Sequence, residues 1–302
     1  MVSSHPSRTA VKIARFMLML DAQPQLAAVL PDEAASTIEA ILLASRAVSP
    51  ALVRMMRHPG VLRFARITEA LTGRGQLLWF GVRKRWIADT VEAAIAGGAT
   101  QLLVVGAGFD PLAALVARRY PHMTCVELDM PATAEPKRAG LAGAGLLRDN
   151  LHALSADLSR QPIAAVLPAA WRPDARSVFV AEGLLMYLDV AAVQAFFADV
   201  RRLAAPGSRL AFTCADADEQ GNPRLLLPLD RLARLALRLA GEPIRWGIRP
   251  TALPAFLADQ GMRCLDQPDL TELRRRYLNP LGLPNEPLQP ADYLVLAELG
   301  LD

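Results

Sequence analysis

Apolar residues recur every three or four positions across residues 1–76, and no run in this region has the alternation or continuity of a strand. Ala14 and Leu18 illustrate the spacing, which places both on one face of a helix. Prolines divide the region into short segments, at Pro24, Pro31, Pro50 and Pro59. The helical pattern continues over residues 77–96 and stops at Gly97, a residue typical of helix ends. We therefore predict an N-terminal helical cap over residues 1–76, followed by one longer helix.

Beyond residue 100 the pattern changes to short apolar runs separated by helical segments. Five runs are predicted as strands, at residues 101–105, 123–128, 151–156, 177–181 and 209–213. Strands that alternate with helices indicate βαβ units and a mostly parallel sheet. Two further runs, 263–265 and 293–299, would complete the sheet as an antiparallel pair. The prediction is an α/β fold with a sheet of about seven strands in residues 77–302.

The stretch from about residue 221 to residue 249 interrupts this alternation and contains the segment LLLPLDRLARLALRLAG. Arg231, Arg234 and Arg238 share one face of the predicted helix, and leucines occupy the opposite face. We interpret the segment as an inserted helical lid that packs over the mouth of the sheet. A helix lying on a membrane surface is the alternative.

Composition limits the classes of partner. The 302 residues are 52% hydrophobic and 21% charged, and 33 Lys+Arg against 30 Asp+Glu leave a formal charge of +3, which predicts no nucleic-acid partner. The three cysteines, Cys125, Cys214 and Cys264, form no CxxC pair, so we expect neither a disulfide framework nor a metal site. No apolar run reaches the roughly 18 residues of a membrane span, and the sequence shows no signal-peptide pattern. We therefore expect a cytoplasmic protein with no membrane partner.

Acidic residues follow the predicted strands closely. Five of them stand at or just after strand ends: Asp110, Asp129, Asp157, Glu182 and Asp216. The carboxyl ends of parallel strands meet at one edge of a sheet, where open α/β folds bind ligands. Capping of the next helix is the alternative explanation, and it applies best to Asp110 and Asp216. The sequence thus predicts a ligand site lined by carboxylates.

A glycine turn follows the first strand, with Gly106 and Gly108 allowing a ligand to approach the backbone closely. Asp129 lies about 20 residues beyond the first glycine, where dinucleotide-binding folds place a ribose-binding acid. The third glycine of that fingerprint is missing, and Pro111 stiffens the turn. Turn and acid together fit either a nicotinamide dinucleotide or S-adenosylmethionine.

The order of motifs resembles the leucine carboxyl methyltransferase family of S-adenosylmethionine-dependent enzymes, specifically its bacterial branch associated with O-methylation in polyketide pathways. The matching stretches are SRTA at 7–10, VRKRWIAD at 82–89, LLVVGAGFDP at 102–111, VELDMPATAEPKR at 126–138, SADL at 155–158, FVAEGLLMYL at 179–188, APGSRLAF at 205–212 and RRYLNPLG at 275–282. The resemblance implies a class I methyltransferase, Rossmann-like sheet with S-adenosyl-L-methionine as cofactor.

The resemblance also implies residue roles. Arg83 would meet the cofactor's carboxylate, Gly106 and Gly108 its methionine and ribose, Asp129 the ribose hydroxyls, Asp157 and Leu158 the adenine, and Glu182 the amino group. Lys137 matches a family lysine, which we interpret as structural.

Glu182 and Tyr187 are the candidate catalytic residues. The resemblance implies that the fourth strand opens to the acceptor near Tyr187, whose phenol could orient an acceptor oxygen. A core tyrosine with a satisfied hydroxyl is the alternative. A carboxylate acceptor needs no general base, whereas a hydroxyl acceptor would benefit from one. The four histidines, His5, His58, His122 and His152, are predicted to be exposed or capping, with His58 best placed to reach a covered pocket.

Three functions therefore compete. The first is an O-methyltransferase for a small metabolite, for example a secondary metabolite, with a possible homodimer formed through residues 225–239. A nicotinamide-dependent oxidoreductase is the second, although the third glycine and a Tyr-Lys or His catalytic set are missing from the sequence. The third is a cofactor-binding protein that has lost catalysis and serves as an interaction module.

Overall fold

The strand runs predicted after residue 100 all form strands, and they lie in one sheet. The computed structural model describes residues 7–158, 160–239 and 241–300. Its strands are β1 (Gln101–Val105), β2 (Thr124–Asp129), β3 (Leu151–Ser155), β4 (Ser177–Ala181), β5 (Arg209–Cys214), β6 (Asp216–Ala217), β7 (Pro223–Arg224), β8 (Met262–Asp266) and β9 (Tyr293–Leu299). Strands β6 and β7 pair with each other as a separate hairpin. The predicted α/β fold with a mostly parallel, seven-stranded sheet is confirmed.

The main sheet has the order β3-β2-β1-β4-β5-β9-β8. Strands β1 to β5 run parallel, and Leu102 in the centre pairs with Cys125 on one side and Val178 on the other. The predicted antiparallel pair exists: β9 runs antiparallel to both β5 and β8. The chain moves outward from β1 to β3 and then returns to place β4 on the other side of β1. This reversal creates a crevice at the carboxyl ends of β1 and β4.

The helices are α1 (Arg8–Asp21), α2 (Pro24–Ala27), α3 (Ala34–Ala44), α4 (Pro50–Met56), α5 (Pro59–Thr72), α6 (Gln76–Ala96), α7 (Leu112–Arg119), α8 (Pro131–Gly143), α9 (Val190–Arg202), α10 (Asp230–Leu239), α11 (Leu253–Asp259) and α12 (Leu270–Leu273). Pro24, Pro50 and Pro59 each stand in the first turn of a helix, where the missing N–H is not needed. Residues 8–72 contain only helices and their connections. Their division from the rest of the chain as a separate domain at residue 76 stays a prediction.

The long helix α6 lies between the cap helices and the sheet. Trp79, Val82 and Trp86 on it are almost completely buried, and buried residues occur on most of its faces. A helix that is covered on several sides can be apolar all round, which explains why α6 lacks a clear polar stripe. One continuous cluster of buried side chains joins α1, α3, α6 and α7 to strand β1.

A second cluster covers the opposite face of the sheet and includes α9 and α11. Phe197 on α9 is central to it: its ring packs edge-on against Phe212 of β5 and Phe256 of α11, at centroid distances of 5.7 and 5.1 Å. The sheet is therefore buried on both faces, as its nearly continuous apolar strands predict.

The inserted stretch forms the small β6–β7 hairpin and helix α10. Two-residue strands carry no detectable period, which is why the sequence pattern missed the hairpin. Helix α10 packs only in part: Ala233 and Leu237 join a small cluster with Met186 and Leu225, while other leucines of the helix are exposed. Within the described residues, no helix combines the length and apolarity needed to cross a membrane.

Candidate active site

Three predicted site residues lie where the strand order reverses. Gly106 follows β1, Asp129 is the last residue of β2, and Glu182 follows β4. Strand β1 pairs with β2 on one side and with β4 on the other, so the three positions share one edge of the sheet. This is the edge at which open α/β sheets bind ligands.

The glycine turn holds the Asp129 carboxylate in place. Gly106 and Gly108 both have left-handed φ angles, +71° and +50°. The N–H of Gly108 donates to Asp129 Oδ2 at 2.6 Å, and the N–H of Met130 donates to Oδ1 at 2.7 Å. Each carboxylate oxygen thus has one backbone donor and a lone pair left for a further donor. Two adjacent hydroxyl groups would match this arrangement.

Burial raises the pKa of Asp129 above its ordinary value, although the two backbone donors at Gly108 and Met130 oppose the rise. No cation forms an ion pair with this carboxylate among the described residues. Neutral donors, rather than a salt bridge, therefore hold it. A ligand that adds hydroxyl donors would favour its ionised form.

Side chains pack directly on the glycine turn. A Cβ at Gly106 would lie 3.1 Å from Leu184 Cδ1, and a Cβ at Gly108 would lie 3.1 Å from Ala10 Cβ. Leu184 follows β4, and Ala10 belongs to the first turn of α1. The turn is consequently crowded from both sides, and larger residues there would displace either the strand-end loop or the cap.

Charged side chains form a buried cluster beside the turn. Arg83 Nε donates to Glu182 Oε1 and its Nη1 donates to Asp292 Oδ2, both at 2.8 Å. Lys84 donates to Glu182 Oε2 at 2.8 Å and also contacts Asp110. We call these five residues the ion-pair cluster. Three carboxyl groups in it face two cations, so the cluster suits a cationic ligand group better than an anionic one.

The cluster modifies the interpretation of Arg83. The resemblance implies that Arg83 binds the cofactor's carboxylate, but its guanidinium is only 3% exposed and is bonded to Glu182 and Asp292. Burial alone would lower the pKa of Arg83, and the two carboxylates outweigh that effect and raise it. Asp292 is itself held by the indole N–H of Trp79 at 2.9 Å. Arg83 therefore positions Glu182, and its contact with a cofactor carboxylate stays a prediction.

Asp110 and Lys137 have structural contacts. Asp110 Oδ1 accepts the N–H of Leu112 at 2.8 Å, which is the capping role considered for it from the sequence. Lys137 is 2% exposed and donates to Glu127 and to the carbonyl of Asp110, both at 2.7 Å. The buried lysine thus ties α8 to β2 and to the glycine turn, in agreement with its predicted structural role.

Tyr187 lies under a cover made by the lid and the start of α1. Glu242, just beyond α10, accepts a hydrogen bond from the Ser7 hydroxyl at 2.7 Å and another from the Thr9 hydroxyl. Burial, with a contribution from Glu242, raises the pKa of Tyr187 to about 12. The phenol therefore stays protonated at neutral pH. It can orient an oxygen atom by hydrogen bonding but is poorly suited to act as a general base.

Asp157 and Leu158 follow the edge strand β3. The N–H of Ala156 donates to the backbone carbonyl of Asp129 at 2.9 Å, so this segment runs beside the carboxylate of β2. Asp157 lies 3.5 Å from Arg160 Nε, and Leu158 packs against the second hydrophobic cluster. Both residues are on the same edge as Gly108, as predicted, and their adenine-binding role stays a prediction.

Two other candidates have structural explanations. Asp216 is buried and bonded to Arg224 at 2.5 and 2.8 Å, which links β6 to β7. His58 Nδ1 accepts the N–H of Gly60 at 3.1 Å and caps α5, so it follows the capping prediction. His5 lies outside the described residues.

A cavity of about 470 Å³ lies between α3, α6 and α7. Ile38, Ile87 and Leu115 give it an apolar lining, and Lys84 and Asp110 also line it. Because Lys84 bonds to Glu182 as well, these two charged residues lie between the cavity and the rest of the ion-pair cluster.

A family model described as leucine carboxyl methyltransferase matches residues 31–201, more than half of the chain. The chain belongs to the leucine carboxyl methyltransferase family. A Parafrankia protein (strain EAN1pec) named "Putative S-adenosyl-L-methionine-dependent methyltransferase" is 34% identical over 206 residues, covering 65% of this chain and 63% of that protein. A Mycobacterium marinum protein of the same name is 32% identical over 186 residues, 60% of this chain and 61% of its own length. This chain thus spans about three fifths of these relatives.

Among solved structures, an O-methyltransferase family protein from Burkholderia thailandensis is 15% identical, with a TM-score of 0.46 over 79% of this chain and 62% of that chain. The segment matched by the leucine carboxyl methyltransferase model includes every predicted cofactor and catalytic residue, from Arg83 to Tyr187. Membership of that family favours a methyltransferase over the nicotinamide-dependent alternative.

Three residues of the site were missed from the sequence. Lys84 stands between two arginines in VRKRWIAD, and the sequence does not show which of these cations turns inward. Asp292 directly precedes β9, and Glu242 lies in the insertion. Asp292 and Glu242 are both beyond the part of the chain matched by the leucine carboxyl methyltransferase model. For Asp292, its position next to a strand of the sheet was the available signal.

Proposed function

We propose that this protein is an S-adenosyl-L-methionine-dependent methyltransferase that methylates a hydroxyl or carboxyl oxygen of a small metabolite. The observation that carries the proposal is the Asp129 carboxylate, held by backbone N–H groups beside the Gly106–Gly108 turn at the switch point of the sheet. Membership of the leucine carboxyl methyltransferase family supports it.

The residues present fit such a cofactor. Asp129 offers two fixed oxygens for the ribose hydroxyls, and the left-handed backbone at Gly106 and Gly108 forms the turn that holds them in place. Asp157 would accept from the exocyclic amine of adenine, with Leu158 against the ring. When bound, the sulfonium supplies an electrophilic methyl group.

Glu182 and Asp292 favour the positive charge of the cofactor's amino and sulfonium groups, because the ion-pair cluster has more carboxyl groups than cations. Arg83 keeps Glu182 in one orientation. In methyl transfer the protein mainly supplies alignment, so fixed side chains of this kind are the principal contribution.

Tyr187 is proposed to orient the acceptor oxygen by donating or accepting a hydrogen bond. Its protonated phenol suits an acceptor that is already nucleophilic, such as a carboxylate, and a hydroxyl acceptor would need its proton removed elsewhere. A secondary metabolite is the proposed class of acceptor, with no nucleic-acid partner.

Calorimetric titration with S-adenosylhomocysteine tests the cofactor assignment. We expect binding in the micromolar range for the wild type and none for Asp129→Ala. Asp174→Ala is the matched control, because Asp174 is an exposed carboxylate paired only at the surface with Arg172. An absence of binding heat in the folded wild-type protein would contradict the proposal.

A further inference from the structure

Helix α10 presents a row of leucines away from the protein. Leu229 just before it is 44% exposed, and Leu232, Leu235 and Leu239 on it are 61%, 50% and 81% exposed. Leucines of a monomeric helix normally face a core. Sequence patterning favours packing of this segment over the sheet, and the exposure of four leucines shows that packing uses only the other side of the helix.

The side that does pack is narrow. Ala233 and Leu237 contact the cluster of Met186 and Leu225 near the end of β4. Successive residues of a helix are rotated by about 100°. Leu232, Leu235 and Leu239 therefore project opposite Ala233 and Leu237, and the leucine row is the outermost part of the lid.

Arginines border the leucine row. Arg231 and Arg238 are exposed and form no ion pair with any described residue. The acid on this helix, Asp230, is already engaged: it accepts bonds from Arg234 on the same helix and from the N–H of Leu225. The outward face of α10 is thus apolar in the centre and positively charged along one border.

We propose that the outward face of α10 binds the surface of an anionic lipid bilayer. The leucine row would enter the boundary between headgroups and acyl chains, and Arg231 and Arg238 would bind lipid phosphates. Charge complementarity favours this occupant over a second copy of the chain. In a symmetric pair of α10 helices each arginine border would meet another arginine-bordered face with no free carboxylate, which is unfavourable. The proposal does not depend on the methyltransferase activity.

Co-sedimentation of the full chain with vesicles tests the proposal. We expect binding to phosphatidylcholine vesicles that contain phosphatidylserine and much weaker binding to pure phosphatidylcholine. The double variant Leu232→Glu/Leu235→Glu should abolish binding. Leu147→Glu is the control: Leu147 is an exposed leucine in the connection between α8 and the edge strand β3, outside the cluster on which α10 packs, and its replacement should leave binding unchanged. Circular dichroism verifies that each variant is folded.

The contribution of the two bordering arginines is measured separately, as partitioning to the same vesicles. Arg231→Gln and Arg238→Gln should each lower partitioning to the anionic vesicles about fivefold, the effect of one cation near such a surface. Arg148→Gln, next to Leu147 before β3, should have no effect. Equal binding to both kinds of vesicle, or full binding by the leucine variant, would overturn the proposal. So would a dimer in light scattering that the leucine variant dissociates, without any vesicle binding.

Discussion

Arg83 and Asp292 are 209 residues apart in the sequence, and their side chains meet in a buried ion pair. Removing charges from water is unfavourable unless each keeps a partner and its hydrogen bonds. Asp292 satisfies both conditions, because Arg83 bonds one oxygen and the Trp79 indole bonds the other. If this carboxylate is lost, Glu182 is the described partner that Arg83 retains.

We expect Asp292→Asn to lower the free energy of unfolding by about 3 kcal/mol, because it leaves a buried guanidinium short of negative charge. Asp174→Asn removes a carboxylate whose side chain is 77% exposed and should leave stability unchanged within the error of the measurement. Urea denaturation of the two variants makes the comparison. Equal stabilities would show that the Arg83–Asp292 pair contributes little.

Asp129 should make cofactor affinity depend on pH. Burial raises its pKa, and the ionised carboxylate accepts hydrogen bonds on both oxygens, whereas protonation turns one oxygen into a donor, so protonation weakens binding. Affinity for S-adenosylhomocysteine should therefore weaken as the pH falls through the Asp129 pKa, by at most about tenfold for each pH unit below it. Titrations at successive pH values measure the slope. Asp129→Asn should bind more weakly and lose this slope; if it kept the slope, another group would be responsible.

Among the site residues, the sequence predicted the acids better than it predicted the side chains that form ion pairs with them. Asp129 and Glu182 could be placed because each stands at the end of an apolar run whose neighbours in the sheet are inferable. Lys84 could not, since the sequence does not show which of the neighbouring cations turns inward. Nor could Asp292, because its pairing with Arg83 across 209 residues depends on where β9 enters the sheet. The Arg83 contact with Glu182 is a property of the folded chain that strand positions alone do not reveal.

The glycine turn is the element that joins the cap to the ligand site. Gly108 needs a left-handed backbone, donates to Asp129 and lies under Ala10 of α1. Gly145, in the connection between α8 and β3, has a similar φ of +67° but open space around it. A substitution at Gly145 therefore tests backbone strain alone, whereas one at Gly108 tests backbone strain together with crowding.

Gly145→Ala should destabilise the protein by about 1 kcal/mol, the strain of a side chain in the left-handed region. Gly108→Ala should cost about 1–3 kcal/mol more, because its Cβ also presses on Ala10. Only Gly108→Ala should weaken S-adenosylhomocysteine binding. Denaturation and calorimetry together check this, and similar losses of binding in both variants would contradict it.

Strong periodicity explains which elements could be predicted. Strand β4 and the final strand β9 match their predicted runs because apolar residues of a buried strand are continuous. The end of β2 differs by one residue, since Asp129 belongs to the strand rather than following it. The β6–β7 hairpin was missed because two residues are too few to show a period.

The first hydrophobic cluster joins the cap helices to the sheet. Leu18 of α1 and Trp86 of α6 are buried in the same cluster as Leu102 of β1. Sequence patterning separates a helical cap from a sheet domain, because it detects the change of period near residue 100 and not the contacts across it. A core that spans the boundary indicates that both parts unfold together.

Leu18→Ala should lower the stability of the entire chain by about 2–5 kcal/mol. Far-ultraviolet circular dichroism and tryptophan fluorescence should then report one coincident transition, shifted to lower urea. Trp171 on the opposite face of the sheet makes the fluorescence probe sensitive beyond the cap. A separate early transition for the cap would instead establish residues 1–76 as an independent domain.

The position of β9 also affects how the protein is made. Asp292 precedes β9, which enters the sheet between β5 and β8. On the ribosome, Arg83 and Glu182 are synthesised well before Asp292, and the chain emerges from its amino end. Until the last strand has left the exit tunnel, the edge of β5 is open and Arg83 lacks its second carboxylate. A nascent chain thus cannot complete its ligand site before its sheet, which couples the maturation of the site to the synthesis of β9.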